Sequence, residues 1–470
     1  MNMRPPLFSA LARPQPMALA GKRVLVLGFG DTGLSVANWV KNQGGSIRIA
    51  DTRAAAPRAK DLPQEEIVTG KFRTSLLKEV DLVCVSPGLP LQEEIVRTAV
   101  ARSIPIVGDI ELFAWHVRAR AGTNVLAITG TNGKSTVTAL TGHLLRTAGV
   151  DCEVAGNISP PALAALMKRG DRPPAVWVLE LSSYQLETTW SLEPDAATLL
   201  NLSEDHLDRY CGLAEYAEAK ARIFAGKGAQ VLNRCDSASM ALATGSEMRD
   251  RVQITFGLDA PSMPEDFGIA RSEGRDWLAR GGEHFLAVEE LLLAGAHNVS
   301  NALAACALAH HAGVPVAALA QALRSFRGLP HRMQRIALRG GVAWLDDSKG
   351  TNVGATVAAL NGLARKVVLI LGGEGKGQNF TPLVVAIGAH AKAVLLIGRD
   401  AALIEKAIAP SGIPSERIDS LDKAVLRAAQ IAAAGDAVLL SPACASFDMF
   451  RDYKHRGEVF AAAVKALGHE

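Results

Sequence analysis

Three α/β domains in succession are the fold class that this 470-residue sequence predicts. Two strand, glycine-rich turn, helix units open at Val24 and at Val125, and a third series of apolar runs ending in polar residues follows Val342. The composition agrees, with 49% hydrophobic but only 5% aromatic residues, a balance suited to helices packed on buried parallel strands rather than to a sandwich. A chain this long exceeds one core, so boundaries are expected at 1–20, 21–112, 113–328 and 329–470.

Residues 1–20 hold Arg4, Pro5, Pro6, Arg13, Pro14 and Pro16, which interrupt any apolar core of a leader peptide. They read as a frayed extension. From Val24 to Leu27 an apolar strand leads into Gly28-Phe29-Gly30-Asp31-Thr32-Gly33, a helical pattern runs through Val40, and a second strand from Ile47 ends at Asp51. This is a Gly-x-Gly-x-x-Gly fingerprint with an acid closing the next strand, which fits a dinucleotide, a UDP-sugar or a bare tight turn. Asp81 to Val85 is a further strand whose exit, Ser86-Pro87-Gly88, lies on the same sheet edge.

The second unit carries the most specific motif. Val125 to Ile128 runs into Gly130-Thr131-Asn132-Gly133-Lys134-Ser135-Thr136 and then a helical pattern from Val137 to Thr147. Glycines let backbone N–H groups turn inward, the lysine adds a mobile charge, the serine offers a hydroxyl to magnesium, and the helix start contributes a partial positive charge. The loop is a shortened variant, since the position five before Gly133 is Ile128. A triphosphate site for ATP or GTP is predicted there.

Two later strands end in polar residues, one at Glu180-Leu181-Ser182-Ser183 and one at Asn201 to Asp208 with His206. Ligands of parallel sheets sit beyond the carboxyl ends of strands, so Ser135, Glu180 and His206 are expected to share an edge as a magnesium-phosphate site. Lys220, on a helical stretch from Tyr216 to Phe224, reads by periodicity as a solvated lysine. Asn298 and Asn301 fall on one face of a helix start, where amides cap a helix or bind an adenine edge. Arg324 to Gln334 breaks the pattern as a linker. Beyond it, strands at Val342, Val367, Val394 and Ala437 exit at Asp346-Asp347-Ser348-Lys349, Gly372 to Lys376, and Ser441-Pro442.

The net charge of +3 is close to neutral with signs interspersed, which argues against nucleic-acid or membrane partners, and no run is long enough to cross a bilayer. Six cysteines without a Cys-x-x-Cys pair read as reduced thiols of a cytoplasmic protein, expected to be a monomer. A nucleotide switch without catalysis and an NAD-linked oxidoreductase are the competing classes. The first leaves Lys376 and Ser446 without a role, and the second does so for the phosphate loop.

Gly130-Thr-Asn-Gly-Lys-Ser-Thr, Glu180-Leu-Ser-Ser, His206-Leu-Asp-Arg-Tyr, His297-Asn-x-x-Asn, His331-Arg332 and Asp347-Ser-Lys, in this order, resemble the Mur ligase family over nearly the whole chain from Lys22. Within it, Asp347-Ser-Lys-Gly-Thr-Asn, Gly-Leu-Pro-His-Arg-Met around His331 and Ser441-Pro-Ala-Cys-Ala-Ser resemble the members that join D-glutamate to UDP-N-acetylmuramoyl-L-alanine. The resemblance implies an acyl-phosphate route to an amide. It also implies roles: Gly130 to Thr136 for ATP, with Asn298, Asn301, Arg332 and Asp347; Ser135, Glu180, His206 and a carbamylated Lys220 for two Mg2+ ions. Asp31, Thr32, Asp51, Arg53, Ser86, Asn157 and Ser182 would hold the UDP-sugar, and Thr351, Lys376, Ser446 and Tyr453 the D-glutamate. Lys134, Glu180, His206 and Lys220 would be the catalytic set. Tyr453 departs from the phenylalanine expected there.

Overall fold

In the computed structural model, residues 8, 11–118, 122–206, 209–242, 251–293 and 295–468 are described. Among them the strands form three sheets of five, nine and six members, so the chain consists of three α/β domains.

The first sheet holds β1 (Arg23–Leu27), β2 (Ser46–Asp51), β3 (Ile67–Thr69), β4 (Leu82–Val85) and β5 (Ile106–Val107) in the order β3-β2-β1-β4-β5, all parallel. Val24 to Leu27 and Leu82 to Cys84 are at most 1% exposed, as both faces of a covered parallel sheet require. Helix α1 (Asp31–Asn42) leaves the glycine-rich turn at close range: a Cβ on Gly33 would lie 2.0 Å from the Gly28 carbonyl oxygen. Only glycine fits there.

Helix α2 (Asp109–Arg118) spans the expected boundary at 112/113, so the chain enters the second domain along a helix rather than through a linker. One apolar cluster runs from Val24 and Trp39 of the first domain through Phe113 to Trp177 and Leu199 of the second. The first twenty residues are not wholly frayed, as their prolines suggest: Phe8 and Leu11 are buried against Leu25 and Val83 because each carries an apolar side chain that the first domain covers. Most of the segment before Leu11 lies outside the described residues.

The central sheet was expected to be parallel and is mixed. It comprises β6 (Asn124–Thr129), β7 (Cys152–Gly156), β8 (Val176–Glu180), β9 (Ala196–Leu199), β10 (Ala229–Asn233), β11 (Gln253–Phe256), β12 (Phe267–Ser272), β13 (Arg275–Arg280) and β14 (Glu283–Ala287), in the order β14-β13-β12-β11-β10-β9-β6-β8-β7. The pairs β12/β13 and β13/β14 are antiparallel, joined by tight turns at Gly274 and Gly281 with positive φ, which removes any need for a crossover helix. Helix α3 (Lys134–Thr147) follows the loop after β6, α4 (Leu213–Ala221) follows the loop after β9, and α5 (Ala296–His311) packs on α3.

The third sheet has β15 (Gln334–Arg339), β16 (Val342–Asp346), β17 (Val367–Gly372), β18 (Ala391–Ile397), β19 (Ser415–Arg417) and β20 (Ala437–Leu440), in the order β15-β16-β20-β17-β18-β19, with only β15/β16 antiparallel. Helices α6 (Val353–Asn361) and α7 (Tyr453–Ala466) flank the strand ends that face the second domain. Its apolar clusters draw on residues from Met333 onward. Among the described residues no helix is long and apolar enough to cross a membrane.

Candidate active site

The carboxyl ends of β6, β8 and β9 open onto one cavity of about 310 Å³, lined by Thr131, Asn132, Gly133, Lys134, Ser135, Glu180, Ser182, His206 and Lys220 from the second domain. Lys349, Thr351, Lys376, Ser446 and Tyr453 of the third domain line it from the other side. Ser135, Glu180 and His206 thus meet on one edge, as the strand-end argument anticipated.

Gly133 adopts φ +84, and a Cβ there would lie 2.4 Å from Asn301 Oδ1, so the turn into α3 needs glycine on both counts. Thr131 and Asn132 donate their backbone N–H groups to Asn201, at 2.9 Å each, which diverts these two amides from a phosphate. The remaining anion-binding donors are the first amides of α3, which a helix leaves without internal partners. Lys134 Nζ donates to the carbonyls of Gly130 and Thr131, both at 2.8 Å, and burial lowers its pKa.

Glu180, at the end of β8, is 2% exposed. Its Oε1 accepts from Asn157 Nδ2 at 2.7 Å, while Oε2 is buried without a hydrogen-bond partner. An orphaned carboxylate oxygen in a dry site is costly unless a cation meets it, so the residues fit magnesium. Among the described residues no cluster of three His, Cys, Asp or Glu side chains could hold a metal by itself. A sparse protein shell of this kind suits Mg2+, which keeps waters and takes phosphate oxygens as ligands.

His206 sits at φ +56, a left-handed conformation that costs a non-glycine residue about 1–2 kcal/mol. Its ring packs 4.8 Å from that of Tyr184 and its Nε2 lies 3.8 Å from Asp205 Oδ2. Lys220 is 1% exposed, so the surface reading is corrected: on α4 it faces inward with Tyr216 and Ala219. Its Nζ donates to the Gly130 carbonyl at 2.8 Å and to Thr129 Oγ1 at 3.3 Å, and lies 4.6 Å from the centre of the Tyr216 ring. Burial, joined by the neighbouring charge of Lys134, pushes its pKa well below the usual lysine range.

A second cavity, about 470 Å³, lies between the second and third domains and is lined by Thr136, Asn298, Asn301, Arg332 and Asp347. Asn301 Nδ2 donates to Asn298 Oδ1 at 3.3 Å. Arg332 Nη2 donates to Ser135 Oγ at 2.7 Å across the domain boundary. Asp347 accepts from Ser441 Oγ at 2.7 Å, yet burial outweighs that bond and raises its pKa to about 7.

The third cavity, about 510 Å³, gathers Asp31, Thr32, Asp51, Arg53 and Ser86 around the glycine-rich turn, with Asn157 reaching it from the second domain. Asp51 is opposed in two directions: burial raises its pKa, but Arg53 and the Phe29 N–H hydrogen-bond both carboxylate oxygens and bring it to about 2. Asp31 pairs with Arg58 at 2.6 Å. Ser182 does not join this cavity; it lines the one beside Glu180 and its Oγ accepts from Gln185 N as a helix cap.

Sequence reasoning gave no role to Lys349, which lines the main cavity with its Nζ 4.0 Å from the centre of the Tyr453 ring and a pKa lowered by burial to about 8. Its place in the Asp347-Ser-Lys motif was the available signal. Tyr184 and Tyr216 also line the cavity. Nothing in their spacing marked them.

The family models match along the chain: Mur ligase MurD-like, N-terminal domain over residues 22–108, Mur ligase middle domain over 128–309, and Mur ligase, glutamate ligase domain over 331–444. The UDP-N-acetylmuramoylalanine--D-glutamate ligase of Nitrosospira multiformis is 52% identical over 461 residues, covering 96% of this chain and 97% of its own. That of Thiobacillus denitrificans is 52% identical over 470 residues, covering 96% and 98%. Among solved structures, a pseudomurein peptide ligase type C from Methanothermus fervidus superposes with a TM-score of 0.61 at 18% identity, over 95% of this chain and 100% of that one. UDP-N-acetylmuramate-alanine ligase from Thermotoga maritima gives 0.61 at 19%, with the same coverage, and these two likenesses speak to fold. With three consecutive family models matched and relatives this similar along nearly its entire length, the chain belongs to the Mur ligase family, among the UDP-N-acetylmuramoylalanine--D-glutamate ligases.

Proposed function

We propose that this chain joins D-glutamate to UDP-N-acetylmuramoyl-L-alanine, the ligation its relatives are named for, at the expense of ATP and as a cytoplasmic step of peptidoglycan synthesis. One observation carries the site assignment: the phosphate loop, Glu180, His206 and Lys220 share a cavity with Lys376, Ser446 and Tyr453 of the third domain. A phosphoryl donor and an amine can therefore reach one carboxylate.

A carboxylate resists attack by an amine. Its oxygen first displaces ADP from the γ-phosphorus of ATP, forming an acyl phosphate, and the amino nitrogen then adds to the acyl carbon and expels phosphate, losing a proton as the amide forms. The α3 amides and Lys134 bind the β- and γ-phosphates. Arg332, held at Ser135, faces the same phosphates from the third domain. Asn298 and Asn301 bind the adenine edge, Asp347 the ribose, and Thr136 closes the loop side of that cavity.

Ser135 and Glu180 would hold one Mg2+, and His206 with Lys220 a second. When bound, magnesium would supply positive charge that offsets the charge accumulating during transfer. Lys220 suits modification by carbon dioxide: a dry site favours the neutral amine, whose nitrogen bonds the carbon of CO2 and releases a proton to give a carbamate anion.

The first domain is a dinucleotide-binding-like Rossmann fold that grips the UDP-sugar through Asp31, Thr32, Arg53 and Ser86, with Asp51 pinning Arg53 and Asn157 joining that cavity to Glu180. Ser182 faces the sugar-linked carboxylate from the catalytic side. The central domain, 113–328, binds ATP, and the third, 329–470, a Rossmann-like unit, binds D-glutamate through Thr351, Lys376, Ser446 and Tyr453. Lys376 pairs with a glutamate carboxylate. The protein acts as a cytoplasmic monomer without nucleic-acid or membrane partners, in keeping with its near-neutral charge.

The test is direct. The purified protein is incubated with ATP, magnesium, the UDP-sugar acceptor and a panel of D- and L-amino acids, and the product is weighed. Phosphate release that needs both acceptor and D-glutamate, with the mass of the condensed product, supports the assignment; hydrolysis indifferent to both would overturn it.

A further inference from the structure

Asn352 comes from the third domain, where it caps α6, yet its side chain is spent largely on the second. Its Oδ1 accepts from Ala355 N at 2.8 Å as the helix cap. The same oxygen accepts from Asn132 Nδ2 at 3.4 Å, and its Nδ2 donates to Asn132 Oδ1 at 3.1 Å and to Asp205 Oδ2 at 3.2 Å. Asn132 belongs to the phosphate loop, and Asp205 precedes His206. The side chain is 4% exposed, so this is a dry, fully engaged amide between two domains.

One residue further, the Val353 N–H donates to Gln378 Oε1 at 3.0 Å, and Gln378 Nε2 donates to the Gly375 carbonyl at 3.0 Å. Gly375 precedes Lys376, whose backbone is held at φ +50. Asp400 secures the far side of that turn by accepting from Gly375 N at 2.7 Å, and Glu374 pairs with Ala445, next to Ser446. A continuous polar path therefore runs from the phosphate loop through Asn352 and Gln378 to the turn that presents Lys376. We infer that Asn352 is a positioning residue which couples nucleotide on the phosphate loop to binding of D-glutamate at Lys376, by docking the start of α6 against Asn132. This rests on the proposed role of Lys376.

Coupling between two ligands is reciprocal and is measured as a ratio of affinities. D-glutamate binding is titrated calorimetrically, with the sugar-nucleotide acceptor present throughout, with and without a non-hydrolysable ATP analogue. The wild-type protein is expected to bind D-glutamate at least fivefold more tightly when the analogue is present. Asn352→Ser keeps an oxygen to cap α6 but cannot span to Asn132 and Asp205; it is expected to hold its affinity without analogue within twofold and to bring the ratio close to one. Gln378→Leu, which cuts the path at its second link, is expected to lower the ratio likewise while leaving analogue affinity unchanged. Absence of coupling in the wild type, or a wild-type ratio in Asn352→Ser, overturns the inference. Lys376→Met separates the two readings: D-glutamate binding that survives it removes the assignment of Lys376, whatever the coupling.

Discussion

Arg332 of the third domain donates to the hydroxyl of Ser135, the second residue of helix α3 in the second domain, across 2.7 Å. Two residues far apart in the chain thus set a guanidinium beside the start of that helix, where the proposed function puts the transferred phosphoryl group. Arg332→Met is expected to raise KM for ATP and to lower kcat by at least tenfold, the scale of one charge-assisted hydrogen bond worth about 1.5–3 kcal/mol. Initial rates of phosphate release measure both, and unchanged constants would remove Arg332 from the nucleotide site.

The unpartnered Oε2 of Glu180 makes a separate prediction. Glu180→Gln keeps shape and an oxygen to accept from Asn157, but puts a neutral amide where a cation is expected. Activity should drop by two orders of magnitude or more, with the apparent magnesium requirement raised and the thermal midpoint little changed. A variant with wild-type magnesium dependence would show that Glu180 does not face the metal.

Lys220→Ala should be almost inactive and should regain part of its rate with formate or acetate, which return a carboxylate to the vacated space. Depleting carbon dioxide should inactivate the wild type, and bicarbonate should restore it. Full activity after depletion argues for an unmodified amine.

Asp109, fully buried at the start of α2, has its pKa raised by burial to about 6 although Gln185 donates to it. A folded-state value above the unfolded one means that the native state holds the proton more tightly, so this stabilisation is present below about pH 4 and lost as pH rises through about 6. Over that window Asp109→Asn should gain stability relative to the wild type by on the order of 2–3 kcal/mol. Urea midpoints of the two proteins across the window give the difference; parallel curves would refute the assignment.

Strand ends and the glycine turn from Gly130 to Gly133 were legible because their signal is local: an apolar run, a glycine turn and a helix follow one another directly in the sequence. Lys220 was not legible. Helix α4 is short and its alanines mark no clear face, so only the packing of Tyr216 and Ala219 against the sheet reveals that Lys220 points inward. The antiparallel extension at β12 to β14 was missed for a related reason, since the exposed Arg271, Arg275, Asp276 and Glu283 interrupt its strands and dilute the apolar signal. Lys349 sat inside a recognised motif without a part to play until Tyr453, remote in sequence, came to lie beneath it.

The apolar cluster shared by the first two domains, set against the third domain's own separate interior, divides the molecule unequally. The first two domains share one interior, whereas the third keeps its own and meets the second across polar contacts. Because Arg332 and Asn352 join the third domain to the second through charge and amide contacts, ionic strength should loosen that junction well before heat melts either body. A small molecule wedged beside Asn352 should hold the two bodies apart and halt the ligase from outside the nucleotide cavity.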